Sequence, residues 1–234
     1  MKLVKNILVL LSFCGLALVA CDDFDYKKSW REENNNHKEI LRDQSKKEKL
    51  YNLGKDSGYE LTATIVSNGE TTHYKAAMKG DIIYRYYETT TGGGWNYMDC
   101  RLINGGTGCT SATYLDDLSM FGSPITRGPE AFKLQFESST ETFYEASKPS
   151  FYEEAVYLED AAIDGRSTHK FRYTSMMTST ITHIITCYVE EEYGLTVKTI
   201  DEYIENEQTS TVTVTTLSSF KTRDDVAIPQ FSTI

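Results

Sequence analysis

Alternation of apolar and polar residues is the feature of this sequence that most constrains its fold. Residues 59–66 and 70–79 both alternate with a period of two, which predicts strands that bury one face. Asn68-Gly69 separates the two runs, and this pair is a strong hairpin signal because both residues tolerate positive φ. The apolar residues that share faces are Tyr59, Leu61, Ala63 and Ile65 in the first run and Tyr74, Ala76 and Met78 in the second.

The alternation continues on both sides of further turn signals. Lys79-Gly80-Asp81 predicts a second turn, and Ile82, Tyr84 and Tyr86 continue the pattern. Gly92-Gly93-Gly94 predicts a break, followed by a short strand at residues 95–99. Three or four antiparallel strands in chain order make a meander.

The last eighty residues predict a second set of strands. Asp164-Gly165 and Tyr193-Gly194 mark turns, and residues 195–204 and 209–221 are rich in Thr and Val, which pack well on a pleated surface. One side of the preceding strand carries Ile181, His183, Ile185, Cys187 and Val189.

Helices are expected in two places. Residues 38–53 are rich in Lys, Glu and Leu and predict a solvated N-terminal helix. Tyr114, Leu115, Leu118 and Phe121 recur at spacings near three and four, which predicts a short helix ended by Gly122. The expected class is therefore mainly β (α+β), with an antiparallel sheet, a few short helices and one N-terminal helix.

The first twenty residues read as an export signal. Lys2 and Lys5 precede an apolar run over residues 7–19, which is shorter than the roughly 20 residues that a membrane-spanning helix needs. The segment Leu18-Val19-Ala20-Cys21 resembles the lipobox of bacterial lipoproteins. The resemblance implies that residues 1–20 are removed and that Cys21 is acylated, with two or three acyl chains giving a stable anchor. The alternatives are an ordinary secretory signal and a retained transmembrane anchor.

Composition limits the partners of the mature chain. Removal of residues 1–20 leaves 234 − 20 = 214 residues and takes Lys2 and Lys5 from a net charge of −10, so the mature charge is −12. The sequence shows no Lys/Arg cluster, which disfavours nucleic acid and anionic lipid surfaces as partners. Residues 21–37 are polar and aperiodic, so we expect a flexible tether there and a single β-rich domain over residues 38–234.

Three cysteines remain beyond Cys21. Cys100 and Cys109 flank a loop with three glycines. Two alternatives are open for them, a disulfide bridge or a pair of free thiols. Cys187 is expected to be a small buried hydrophobic residue.

No reaction chemistry is marked in the sequence. His183 and Cys187 are four residues apart, which suits a metal ion on a helix but spans about 13 Å on a strand. Acidic runs at residues 153–154, 159–160 and 190–192 could in principle form a glycosidase pair, but charges at strand ends are usually solvated. We therefore expect no catalytic residues, no metal site and no cofactor.

Aromatic residues in neighbouring strands are the better candidates for binding. Tyr84 and Tyr86 lie in one predicted strand, and Trp95 and Tyr97 follow the next turn. They form either a packed amphipathic face or a wall that contacts a hydrophobic ligand.

The order of these elements resembles the bacterial lipoprotein-carrier superfamily. Residues 190–200 (EEEYGLTVKTI) and 218–231 (SSFKTRDDVAIPQF) are the segments most similar to it. The resemblance implies a strongly curved sheet, or incomplete half-barrel, with a cavity for acyl chains.

The leading hypothesis is therefore a lipid-anchored, extracytoplasmic and non-enzymatic lipoprotein, attached to the cell membrane by N-terminal acyl chains, that binds a lipid or other hydrophobic ligand. The alternatives are a surface interaction or structural protein with a filled core, and a glycan-acting hydrolase without a recognisable motif.

Overall fold

The chain divides into two compact units, Met1–Glu39 and Ile40–Ile234. The fold is taken from a computed structural model, which describes residues 34–90, 92–103, 108–115, 118–121, 133, 136, 137, 140, 154–206, 208–222 and 226. For residues 95–121 the description covers the backbone alone. The first unit is described only over residues 34–39, which are helical.

Two consecutive helices precede the sheet. The helix α1 covers residues 34–42 and α2 covers Gln44–Asp56. Asp43 caps α2, because its side chain accepts a hydrogen bond from the Ser45 backbone N–H at 3.0 Å. At the other end the N–H groups of Ser57 and Gly58 donate to the Leu53 carbonyl, and Gly58 has a φ of 108°. The predicted helix over 38–53 is thus two helices that begin earlier and end later. None of the described helices is long and apolar enough to cross a membrane.

Eleven strands form one sheet in which every neighbouring pair is antiparallel. The strands are β1 (Tyr59–Ser67), β2 (Glu70–Lys79), β3 (Ile82–Thr89), β4 (Gly92–Ile103), β5 (Gly108–Leu115), β6 (Leu118–Phe121), β7 (Val156–Ile163), β8 (Arg166–Met176), β9 (Ile181–Glu190), β10 (Thr196–Glu205) and β11 (Gln208–Thr222).

The sheet joins two meanders through the first and last strands of the chain. Its order is β6-β5-β4-β3-β2-β1-β11-β10-β9-β8-β7, so β1 pairs with β11 across the middle. Within the described strands, the two edges β6 and β7 are not paired with each other. The predicted mainly β class, with an open, curved antiparallel sheet and an N-terminal helix, is confirmed.

Local turn chemistry explains most of the connections. Asn68 (φ 50°) and Gly69 (φ 83°) form the tight hairpin that the sequence predicted, and Asp164 (φ 50°) and Gly165 (φ 80°) form another. Both turns need two consecutive residues in the left-handed region, which only a few residue types tolerate.

Two local predictions were wrong. The segment around Tyr114 and Phe121 is not a helix but the strands β5 and β6, since pairing with β4 overrides a helical spacing of only four apolar residues. Gly92-Gly93-Gly94 is not a break, because all three glycines belong to β4 and pair with β3, and Gly94 also pairs with β5.

The main core lies between α2 and one face of the sheet. Leu50 of α2 packs with buried residues of β1, β2 and β3, and Phe136 packs edge-on against Tyr51 at a centroid distance of 5.1 Å. A second cluster packs Leu41 of α1 against β8 and β9, including Phe171, Ile185 and Cys187. We call this side of the sheet the helix-bearing face.

The opposite side of the sheet is called the outer face. Ile83 belongs to the main core, whereas its neighbour Tyr84 belongs to a separate cluster with Ala77, Ile82 and Val226. Because adjacent strand residues point to opposite faces, Tyr84 and its register partners lie on the outer face.

Candidate ligand-binding face

The four aromatic residues singled out in the sequence occupy one block of the outer face. Tyr84 is the register partner of Tyr97, and Tyr86 is the register partner of Trp95. Register partners in an antiparallel pair share a face, so β3 and β4 bring all four positions together. For Trp95 and Tyr97 the register gives the position of the backbone alone.

Tyr84 is buried in a cluster that includes Val226, the one described residue after β11. The side chain packs with Ala77 and Val226, and Lys79 Nζ donates to the Val226 carbonyl at 3.5 Å. Burial raises the pKa of Tyr84, and the nearby Tyr86 and Glu60 raise it further. Tyr86 is half-buried beside this cluster. A ligand at this block would therefore meet Tyr86 before Tyr84.

A larger apolar surface lies on the outer face of five other strands, β1, β11, β10, β9 and β8, and we call it the outer patch. Val66 is the register partner of Val214, and Val214 is also the register partner of Ile200. Neighbouring positions on the same face of these strands add further apolar residues. Val66, Val212 and Met176 are 40%, 37% and 73% exposed, and the others are half-buried. The outer patch consists of Val66, Met176, Ile184, Ile200, Ile204, Val212 and Val214.

Three cations border the outer patch, and we call them the basic row. Lys198 and Lys170 are both register partners of Tyr188, and Arg172 faces Thr186, which faces Ile200. Lys170 Nζ lies 2.7 Å from Glu159 Oε1, a hydrogen bond that raises the pKa of this lysine. Lys198 and Arg172 form no ion pair with any residue that the structure describes.

Two further lysines on the outer face share one buried carboxylate. Glu60 Oε2 lies 2.6 Å from Lys75 Nζ, and Glu60 Oε1 lies 3.8 Å from Lys221 Nζ. The lysines belong to β2 and β11, so a cluster that the sequence does not show is assembled from distant segments. Acids also share this face: Glu202 lies within the outer patch and Glu88 near the far end of β3.

The helix-bearing face carries a separate aromatic and polar cluster. His183 Nε2 lies 2.7 Å from Asp201 Oδ1, and its ring stacks on Tyr203 at 4.4 Å and 6°. Cys187 is fully buried, and its Sγ lies 3.8 Å from Thr199 Oγ1. The prediction that Cys187 is a buried residue on a strand with His183 is confirmed.

Glu159, Asp160, Glu190 and Glu191 of the acidic runs have structural partners, whereas Glu154 is exposed. Asp160 and Glu191 contact opposite nitrogens of His169 at 2.6 and 2.8 Å, and Glu159 pairs with Lys170. Glu190 accepts hydrogen bonds from three backbone N–H groups of the β9–β10 turn. Each of these groups holds strands or a turn together.

Other predicted site residues fall outside the described side chains. Cys21 precedes the described part of the chain. Cys100 and Cys109 lie in β4 and β5, and their neighbours Asp99 and Thr110 are register partners. A disulfide between the two cysteines and a pair of free thiols both stay open.

The outer patch and the basic row were missed from the sequence. Their apolar residues do alternate along β9, β10 and β11, but alternation marks two faces without saying which one a helix covers. Only the position of α2 makes this distinction.

Of three comparisons with known proteins, only the one with solved structures found matches. No protein-family model matches the chain, and no curated protein matches it. Among solved structures, MucB has 9% identity and a TM-score of 0.41 over 85% of this chain, which spans 61% of MucB. An uncharacterized conserved protein from Thermus thermophilus has 9% identity and a TM-score of 0.39, over 81% of this chain and 88% of that one.

A putative outer membrane lipoprotein-sorting protein domain from Vibrio parahaemolyticus has 10% identity and a TM-score of 0.26, over 83% of this chain and 95% of that one. At TM-scores below 0.5, these likenesses carry no argument about the family or function of this chain.

Proposed function

We propose that the chain is a lipid-anchored, extracytoplasmic bacterial lipoprotein without enzymatic activity, which binds a lipid or other hydrophobic ligand on its outer face. The observation that carries the ligand part is the outer patch. Val66, Val214 and Ile200 are successive register partners, and the other four residues lie on the same face around Glu202 and Thr182. All seven are half-buried or exposed, and grouped exposed apolar surface is typical of binding sites.

The packing of the described core favours a ligand-binding site on the outer face over one on the helix-bearing face. Leu50 of α2 is fully buried in one packed cluster with Leu61 and Leu195 of the helix-bearing face, which are also fully buried. A ligand on that side would have to displace the helix, whereas the outer-patch residues are half-buried or exposed among the described residues. The predicted wall of Tyr84, Tyr86, Trp95 and Tyr97 lies on the same face and would extend this surface.

The anchor is tested by metabolic labelling with radioactive palmitate. The full chain should incorporate label, and Cys21→Ser should abolish it. Cys14→Ser is the matched control, because Cys14 lies in the leader that is discarded and its loss should leave labelling intact. Labelling that survives Cys21→Ser would refute the anchor.

Ligand binding is tested with a fluorescent fatty acid and the mature chain, carrying Cys21→Ser and exported behind an ordinary leader. Ile184→Lys and Ile200→Lys should each weaken probe binding about tenfold or more, since a charge would be placed in the apolar contact. Gln208→Lys adds the same charge at an exposed strand start and should have little effect. Absence of probe binding would refute the ligand part.

A surface interaction protein is the second candidate, because the core under α2 is filled as that hypothesis expects. Oxidative footprinting of Met176 distinguishes the two. Protection of Met176 on whole cells but not in the purified chain, together with no binding of the fatty-acid probe, would favour a protein partner over a lipid.

A further inference from the structure

We infer that the outer face docks on the surface of a bilayer that contains anionic lipids. This inference rests on the proposed function and names its ligand. The basic row meets the head groups, while the outer patch meets the apolar layer beneath them.

Charge complementarity is the first argument. Lys198 and Arg172 have no ion-pair partner among the described residues, and Lys170 extends the row along the same face. Lys75 and Lys221 together meet only one described carboxylate, that of Glu60, so an excess of positive charge remains there as well. Clusters of four or more basic residues at a membrane surface bind anionic lipids.

The adjacency of the two surfaces is the second argument. Arg172 and Ile200 are both register partners of Thr186, so cationic and apolar side chains are neighbours on one face. The outer patch then extends from there to Met176, at the end of β8, which is 73% exposed. A protein surface with cations beside apolar residues is suited to the boundary between head groups and acyl chains.

The breadth of the face favours a bilayer over a single bound molecule. The outer patch and basic row extend over β8, β9, β10, β11 and β1, which spans four strand spacings of about 4.8 Å each. Sites for single small ligands are concave and enclose most of the ligand. The outer-patch residues are half-buried or exposed among the described residues, and the acyl chains predicted at Cys21 would hold this face beside a membrane.

The net charge of the chain does not prevent this docking. The mature chain carries −12, but charges more than about 8–10 Å away are largely screened at physiological salt. Two local acids oppose it: Glu159, which pairs with Lys170, and Glu202, which lies between Val212 and Ile184 in register. The Glu202 carboxylate would face the membrane, so Glu202→Gln should strengthen docking.

Co-sedimentation with vesicles tests the inference, with the mature Cys21→Ser chain exported behind an ordinary leader. The chain should bind vesicles of phosphatidylcholine and phosphatidylglycerol in about equal parts, should release at high salt, and should not bind pure phosphatidylcholine. Arg172→Glu with Lys198→Glu should lower binding about tenfold or more, because each basic residue near an anionic surface contributes measurably.

The matched control is Lys49→Glu with Lys133→Glu. It changes the net charge equally, but Lys49 belongs to α2 and Lys133 to the helical residues around Phe136, which packs on the helix-bearing face. Binding by this control should stay close to that of the parent chain.

Each other outcome overturns the inference and bears differently on the proposed function. Equal binding to both vesicle types would exclude a role for the basic row. Binding of the fatty-acid probe but of no vesicle would support a single bound ligand instead. Binding of neither vesicles nor probe would refute the docking and the proposed ligand function together.

Discussion

Lys75 Nζ lies 2.6 Å from Glu60 Oε2, and the Glu60 side chain is only 8% exposed. The two lysines around this carboxylate are 28% and 52% exposed, so they retain access to water that Glu60 lacks. The burial of the ion pair is therefore asymmetric. The Glu60 carboxylate depends on the two lysines to offset its loss of hydration, whereas the lysines keep contact with water.

This asymmetry predicts unequal effects of removing each partner. Lys75→Met should destabilise the protein by about 2–3 kcal/mol, because it leaves a buried carboxylate with only the more distant Lys221. Glu60→Met should cost less, since both lysines can turn to solvent. Urea denaturation of the two variants measures the difference, and a larger loss for Glu60→Met would contradict the assignment.

The Glu190 carboxylate is expected to hold the β9–β10 turn. It accepts hydrogen bonds from the N–H groups of Glu192, Tyr193 and Leu195 at 2.7, 2.9 and 3.0 Å. In urea denaturation Glu190→Ala should cost about 3 kcal/mol, and Glu190→Gln should cost less because one oxygen remains. Glu192→Ala is the control: its ion pair with Lys49 is exposed and should contribute about 1 kcal/mol or less.

Asp43 is expected to contribute to stability as the cap of α2. A hydrogen bond from Ser45 holds the pKa of Asp43 below its usual 3.8. Because the folded pKa is the lower one, the stabilisation is complete above pH 3.8 and is lost as the pH falls through the folded pKa. Asp43→Ala should cost about 1 kcal/mol at neutral pH and Asp43→Asn much less. Helical circular dichroism during urea denaturation measures this, and an equal loss for both variants would exclude the cap.

Gly54 is expected to resist the usual stabilising change from glycine to alanine in a helix. A Cβ there would lie 2.5 Å from Met78 Sδ and 2.9 Å from Tyr59 Cε1. Gly54→Ala should therefore destabilise by about 1–3 kcal/mol, although the helix propensity alone favours alanine by about 1 kcal/mol. In a Met78→Ala background the same change should cost less, because only the contact with Tyr59 remains. Thermal unfolding of the single and double variants measures this coupling, and an equal cost in both backgrounds would contradict it.

Tyr74 is expected to make the fold sensitive to high pH. Burial raises the pKa of Tyr74 to about 12, and the adjacent Arg85 only partly opposes this. The unfolded chain releases this proton near pH 10, so the contribution of Tyr74 to stability should be constant below pH 10 and should fall as the pH rises towards 12. Tyr74→Phe should make that fall shallower in urea denaturation at increasing pH. Identical slopes for the two chains would exclude this contribution.

Local features of the fold could be predicted because their causes are local. Asn68-Gly69 and Asp164-Gly165 specify tight turns through their tolerance of positive φ, and each lies between residues that alternate with a period of two. The strand character of β9 follows from the same alternation, so Cys187 could be placed in the core before its partners were known. The residues around Tyr114 were assigned wrongly because four apolar positions suit either period until a neighbouring strand is present.

The sequence by itself determined most of the turns and the antiparallel class, and it is the source of the predicted leader and of the likeness of Leu18–Cys21 to a lipobox. Only the tertiary structure decided that β1 pairs with β11, that α2 covers the face of Ile83 and leaves that of Tyr84, and that Lys170, Arg172 and Lys198 form one row. The physical reason is that turns and alternation arise between residues a few positions apart. Strand order and face selection instead depend on contacts between segments far apart in the chain, which no local pattern encodes.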